Sequence, residues 1–168
     1  RHHVVNSLGW TTLRPLQDEA VAPILDGRHA LLLAPTAGGK TEAALLPLLS
    51  HISTEDLEPV SVLYVAPIRA LLNNQESRLR SLTALVGRTA GKWHGDVKGP
   101  ARRRMIDDPP DVLAITPESL EAMLLSTRTP ARRFLAHVRA VVIDEVHAFA
   151  GDDRGSHLVA LLERISRI

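Results

Sequence analysis

Cysteine is absent from the 168 residues, which excludes a disulfide framework, a thiolate metal site and a cysteine nucleophile. No apolar run approaches the roughly 20 residues that span a bilayer. The opening Arg1-His2-His3-Val4 does not read as a signal peptide. A strong charge of either sign is also missing: 20 basic against 19 acidic residues leave a formal net charge of +1. That balance is too mild to argue for nucleic-acid binding, so any such contact must come from local patches. These absences fit a cytoplasmic protein with no membrane partner. The hydrophobic share of 45% is that of an ordinary globular protein. The length suits one domain able to bury a core without a disulfide or a structural metal.

Short apolar runs alternate with longer helical stretches. His29–Pro35 reads as a buried strand, and Val60–Ala66, Asp111–Thr116 and Ala140–Asp144 as further strands. Arg88–His94 is a weaker fifth candidate, third in chain order. Helices are expected over Leu13–Leu25, Lys40–Ser50, Ala70–Leu85, Glu118–Leu125 and Gly155–Ile168. Such alternation predicts an α/β fold, a mainly parallel sheet with helices on both faces. The strands barely alternate in polarity, as expected when both faces are covered. Asp107-Asp-Pro-Pro-Asp111 is the most loop-like stretch, since adjacent prolines among acids cannot continue a helix.

Ala34-Pro-Thr-Ala-Gly-Gly-Lys-Thr41 follows a predicted strand and opens a predicted helix, the context that a phosphate-binding loop requires. Small residues at Pro35, Thr36, Ala37, Gly38 and Gly39 let backbone N–H groups turn inward around phosphate oxygens. The helix N-terminus adds partial positive charge. Lys40 is expected to reach the β- and γ-phosphates and the Thr41 hydroxyl to ligate Mg²⁺. A Gly-rich turn that merely caps a helix is the plainer alternative, and the flanking strand and helix weigh against it.

Val141-Val-Ile-Asp-Glu-Val-His147 places Asp144 and Glu145 at the C-terminal end of a strand, the edge where open parallel sheets bind ligands. Asp144 is expected to hold Mg²⁺, a hard cation that takes oxygen ligands. Glu145 is expected to orient and deprotonate an attacking water. His147 is placed to bridge the nucleotide to whatever lies beyond. Alone, the acidic pair could be a solvated loop; with the phosphate loop upstream it points to a nucleoside-triphosphate hydrolase using ATP and Mg²⁺.

The order of these motifs resembles superfamily 2 DEAD/DEAH-type helicases, and more closely their Lhr-like branch, over nearly the whole chain. Leu13-Arg-Pro-Leu-Gln17 resembles the Q motif, whose glutamine reads the adenine edge. Ala66-Pro-Ile-Arg-Ala-Leu71 resembles motif Ia, His94-Gly-Asp96 the glycine turn that touches the nucleic-acid strand, and Thr116-Pro-Glu-Ser-Leu120 motif Ib. Phe149-Ala-Gly-Asp-Asp-Arg-Gly155, just after the Asp-Glu-Val-His box, looks Lhr-like in particular. The resemblance implies a RecA-like, P-loop NTPase fold, a three-layer αβα sandwich. It implies that residues 1–168 are the ATP-binding domain, with the second RecA-like domain and its arginine finger absent. The fragment alone is then expected to bind nucleotide, hydrolyse it poorly and not unwind. The implied partner is single-stranded or duplex nucleic acid, DNA favoured over RNA, gripped through Pro67, Arg69, Gly95, Thr116, Pro117 and Glu118. Thr116 and Pro117 equally suit an N-cap and the first turn of a helix, and both roles can hold at once. One departure is clear: relatives carry Gly-Ser-Gly where this chain has Ala37-Gly38-Gly39, so Ala37 gains a methyl group and position 38 loses a hydroxyl.

Other residues read as structure. Arg102-Arg-Arg104 and Arg132-Arg133 could contact nucleic acid but better suit solvated helix faces, while Trp93 suits packing and Met105 and Met123 core filling. Trp10 could pack near an adenine or simply in a core. Two further functions remain open to the sequence: a RecA-like module that grips nucleic acid or a partner with a decayed ATPase site, and a translocase subunit of a restriction or defence system. Intact Lys40, Thr41, Asp144 and Glu145 argue against decay.

Overall fold

A computed structural model of the chain describes residues 8–35, 37–93, 99–151 and 153–168. The expectations that fall on Thr36 and on His94, Gly95 and Asp96 lie outside the described residues. The chain divides into two compact units: residues up to Asp56 with Ser81–Arg88, and Leu57–Arg80 with Thr89–Ile168.

In the first unit, α1 (Pro15–Leu25) packs on α2 (Lys40–Glu55). Proline at the first position of α1 costs nothing, because its missing N–H has no helical partner there. Ala20 of α1 and Ala43, Leu45, Leu49 and Ile52 of α2 are buried. The strand expected over His29–Pro35 does not form. A strand is held by ladder hydrogen bonds to a neighbour, and no other strand occurs among the described residues of this unit. Leu31 and Leu33 are accordingly 68% and 76% exposed.

The second unit is a parallel sheet of β1 (Val62–Val65), β2 (Ala90–Trp93), β3 (Val112–Ile115) and β4 (Ala140–Ile143) in the order β2-β3-β1-β4. The inner strands β1 and β3 are buried at every position, whereas the outer strand β4, expected to be buried, is half-buried throughout. Among the described residues it has one ladder, to β1. Between the strands lie α3 (Arg69–Ala84), α4 (Gly99–Asp107), α5 (Pro117–Leu125) and the short α6 (Ala131–Phe134). After β4 come a 3-10 turn (Val146–Phe149) and α7 (Asp153–Ile165). Leu158, Leu161 and Ile165 of α7 recur at helical spacing and join Leu63, Leu113, Ile115, Leu120 and Phe134 in the core. The loop expected at Asp107–Asp111 is bound down: buried Asp111 accepts from the Thr89 N–H at 2.8 Å and its hydroxyl at 3.1 Å.

Candidate nucleotide site and nucleic-acid groove

The first unit carries the phosphate loop. Ala37 has φ +61° and Gly39, which leads into α2, φ +83°. Both values lie in the left-handed region, which glycine adopts freely and alanine at a cost. Gly38 donates to the Pro35 carbonyl at 2.9 Å. A Cβ at Gly38 would come within 2.7 Å of the Ala34 Cβ and 2.8 Å of the Pro35 oxygen. This loop has no room for a side chain at 38. Lys40 Nζ donates to the carbonyls of Ala34 at 2.8 Å and Pro35 at 3.3 Å. Thr41 is buried in the first turn of α2.

The Q-like segment braces this loop. Gln17 is 3% exposed, and its Oε1 accepts from the Arg14 N–H at 3.0 Å. Its Nε2 lies where a Cβ on Gly39 would sit, 2.6 Å from it. The Arg14 guanidinium donates to the Ala37 carbonyl. Gln17 is thus fixed by α1 against the loop, which a helix-entry reading of Leu13–Gln17 alone would not predict.

The second unit carries the carboxylates at the end of β4. Asp144 is held at both oxygens: the Tyr64 hydroxyl donates to Oδ2 at 2.6 Å and the Glu145 N–H to Oδ1 at 3.0 Å. The Asp144 N–H continues the ladder onto the Val65 carbonyl at 2.8 Å. Glu145 has φ +48° and starts the 3-10 turn. Its carboxylate lies 3.3 Å from His147 Nδ1, on an imidazole that is otherwise open to solvent.

The same unit holds a groove of about 650 Å³. Pro67 and Arg69 of the β1–α3 turn line it, with Thr116 and Glu118 at the start of α5 and Trp93, Arg102 and Arg154. The segments around Arg69 and Thr116, 47 positions apart by number, thus share one surface. Their side chains are employed unequally. Thr116 is 3% exposed and its hydroxyl accepts from the Ser119 N–H at 3.3 Å, the cap that starts α5. Pro117 and Pro67 are buried, and Arg69 is exposed. Arg154 donates to the Pro67 carbonyl, pairs with Glu118 at 3.2 Å and lies 5.4 Å from the Phe149 ring centre. Burial pushes the Glu118 carboxyl up, but its own backbone N–H, the Thr116 hydroxyl and Arg154 outweigh that and leave it below the usual glutamate range.

A family model described as DEAD/DEAH box helicase matches residues 14–168. The chain belongs to that family. Among curated relatives, an Lhr helicase/probable uracil glycosylase of Mycolicibacterium smegmatis is 41% identical over 92% of this chain. The Lhr helicase/uracil glycosylase of Escherichia coli is 38% identical over 83% of it. The chain spans only 11% and 10% of the lengths of these two relatives. A solved structure of Mycobacterium smegmatis Lhr bound to ssDNA and AMP-PNP superposes with a TM-score of 0.84 at 38% identity, over 96% of this chain and 22% of that one. The DEAD/DEAH helicase fold is therefore the RecA-like α/β fold expected, around a parallel sheet.

Three residues of this DEAD/DEAH domain escaped the reading of its motifs. Tyr64 is the only tyrosine, and a buried hydroxyl on an apolar strand was the available signal, because it must find a partner. Arg154 sits inside the Lhr-like segment after the Asp-Glu-Val-His box and ties that segment to motifs Ia and Ib. Arg102, expected on a solvated face with its neighbours, instead lines the groove over Trp93, while Arg103 and Arg104 are exposed.

Proposed function

We propose that the chain is the ATP-binding motor domain of an Lhr-like superfamily 2 enzyme, a nucleic-acid-dependent ATPase that moves along or unwinds DNA in the cytoplasm. The observation that carries the reading is the braced phosphate loop, with Lys40 and Thr41 opening α2 and Gln17 and Arg14 locked against Gly39 and Ala37. In this reading the backbone of Pro35–Thr41 cradles the phosphates and Lys40 exchanges its loop carbonyls for their oxygens. Gln17 meets the adenine edge. The Thr41 hydroxyl and, in the other unit, the Asp144 carboxylate are each a hard oxygen donor of the kind that Mg²⁺ takes; the ion would neutralise charge on the transferred phosphoryl group. Glu145 takes the proton of the attacking water, and His147, against its carboxylate, links it to the strand-binding side.

Nucleic acid occupies the groove through Arg69 and the turns of Pro67 and Thr116–Glu118, and Gly95, outside the described residues, is a further proposed strand contact. DNA is favoured over RNA because the Mycobacterium smegmatis Lhr structure is of a complex with ssDNA. A second RecA-like domain of the same full-length protein supplies the arginine finger, worth several powers of ten in rate, so this chain alone binds nucleotide, turns it over slowly and does not unwind. Calorimetric titration of MgADP into the chain and a folded Lys40→Ala variant tests this. Binding is expected in the first and lost at least about tenfold in the second, given a charge-assisted contact of roughly 1.5–3 kcal/mol. Absence of binding to both would favour a RecA-like module with a decayed site.

A further inference from the structure

We infer that Arg102, seated on Trp93, is a phosphodiester contact for single-stranded nucleic acid in the groove of the second unit. The inference rests on the nucleic-acid reading above and adds a residue that none of the helicase motifs in this chain contains.

The position of Arg102 follows from how α4 packs on β2. Gly91 and Trp93 share one face of β2, because side chains alternate along a strand. Met105 and Arg102 share one face of α4, because residues three apart are neighbours on a helix. A Cβ at Gly91 would lie 3.4 Å from Met105 Cε and 2.9 Å from Pro110 Cγ, so the absence of a side chain at 91 lets α4 settle closely. Met105 over Gly91 then brings Arg102, one turn earlier, over Trp93, with its guanidinium carbon 5.1 Å from the ring centre. Phe134 supports the indole from within the core at 5.6 Å between ring centres. The result is a tilted Phe134–Trp93 pair capped by Arg102, a cation held at the groove.

The chemistry of the stack selects its ligand. Trp93 is 3% exposed, so its face is covered by Arg102 and cannot stack on a base. The ring holds the guanidinium by its negative face and leaves its charge uncancelled. Arg102 Nε has no hydrogen-bond partner among the described residues, so a backbone or carboxylate acceptor at that nitrogen does not explain the placement. The groove itself is cationic, with Arg69, Arg102 and Arg154 against Glu118, which already pairs with Arg154. A planar, permanently charged fork in such a groove matches phosphate oxygens. A phosphodiester chain laid along motifs Ia and Ib would pass it.

The test is binding of fluorescein-labelled (dT)12 to the chain by anisotropy across a series of KCl concentrations. Each phosphate contact to a single strand contributes about 0.7 to the slope of log K against log salt. Arg102→Ala is expected to weaken binding about five- to tenfold and to lower that slope by about 0.7. Arg102→Lys is expected to keep the slope and recover part of the affinity. Arg103→Ala, the same charge loss on an exposed neighbour, should change the slope far less. Trp93 reports on the stack directly: with Trp10→Phe it is the only tryptophan, and its emission should shift on adding unlabelled (dT)12. That shift should vanish in Arg102→Ala if near-ultraviolet circular dichroism shows the fold kept. If the unaltered chain binds (dT)12 but Arg102→Ala matches it in affinity and slope, the inference is wrong while the functional reading stands. If the unaltered chain does not bind (dT)12, both fall; tighter binding of an rU12 probe with the same Arg102 dependence would keep the contact and overturn only the preference for DNA.

Discussion

Tyr64 and Asp144 stand 80 positions apart in the chain, yet their contact fixes the acid proposed to hold Mg²⁺. Parallel register explains it: Tyr64 is level with Val142 on the neighbouring strand. Asp144 follows two residues later on the same face. The motif alone names the carboxylate, but which atom holds it depends on a neighbour that local spacing cannot reveal. A buried hydroxyl donating to a carboxylate is worth about 1.5–3 kcal/mol when removed. Tyr64→Phe is therefore expected to lower stability by about that amount in urea unfolding. An unchanged midpoint would mean that Asp144 finds an equal partner without Tyr64. Thr116 makes the complementary point. It could be read as a cap, as a strand contact or as both, and the structure shows its buried hydroxyl in the cap at the edge of the groove.

Among the elements, the phosphate loop was legible because its chemistry is local: small residues, a lysine and the start of α2 are consecutive. Alanine at position 37, where the family resemblance implies glycine, has a local consequence as well. Alanine in the left-handed region costs about 1–2 kcal/mol, and Ala37 sits there at φ +61°. Ala37→Gly removes that strain and gives back part of it as unfolded-state entropy. A net gain of about 0.5–1 kcal/mol is expected, seen as a rise of roughly 2 °C in the midpoint of thermal unfolding. A fall would show that the methyl group packs well enough to outweigh its strain. The stretch His29–Pro35 illustrates the opposite case. Its apolar run satisfies every local criterion for a strand, but a ladder needs a second strand and none lies among the described residues of its own unit. The half-burial of β4 has the same origin: an outer strand is covered less than an inner one, whatever its composition. Arg102 was misread for a related reason. Three consecutive arginines look alike in sequence, and only the seat of α4 on Gly91 separates the one over Trp93 from the two in solvent.

For the molecule as a whole, the near balance of charge conceals where charge acts. Glu76 of α3 is paired with Lys92 of β2 and, at 3.0 Å, with Arg80 one turn along its own helix. The hydrogen bond from Lys92, opposed by burial and aided by the Lys92 and Arg80 charges, holds the Glu76 carboxyl below the usual glutamate range. A carboxyl depressed on folding stabilises the fold fully above its unfolded value, near 4.3, and the stabilisation is lost as pH falls through the lower folded value. Glu118 acts in the same direction. Stability measured by urea unfolding between pH 6 and about pH 3 should therefore fall towards acid, and Glu76→Gln should flatten that fall; parallel curves for both proteins would refute the assignment. Fold class, the four strands of the sheet and the identity of the candidate phosphate loop and acidic box follow from composition, periodicity and adjacency, all of which act over a few residues. The partner of Asp144, the burial of Thr116 and the seat of Arg102 follow from packing between strands and helices distant in the chain, because register and close approach exist only once those elements meet.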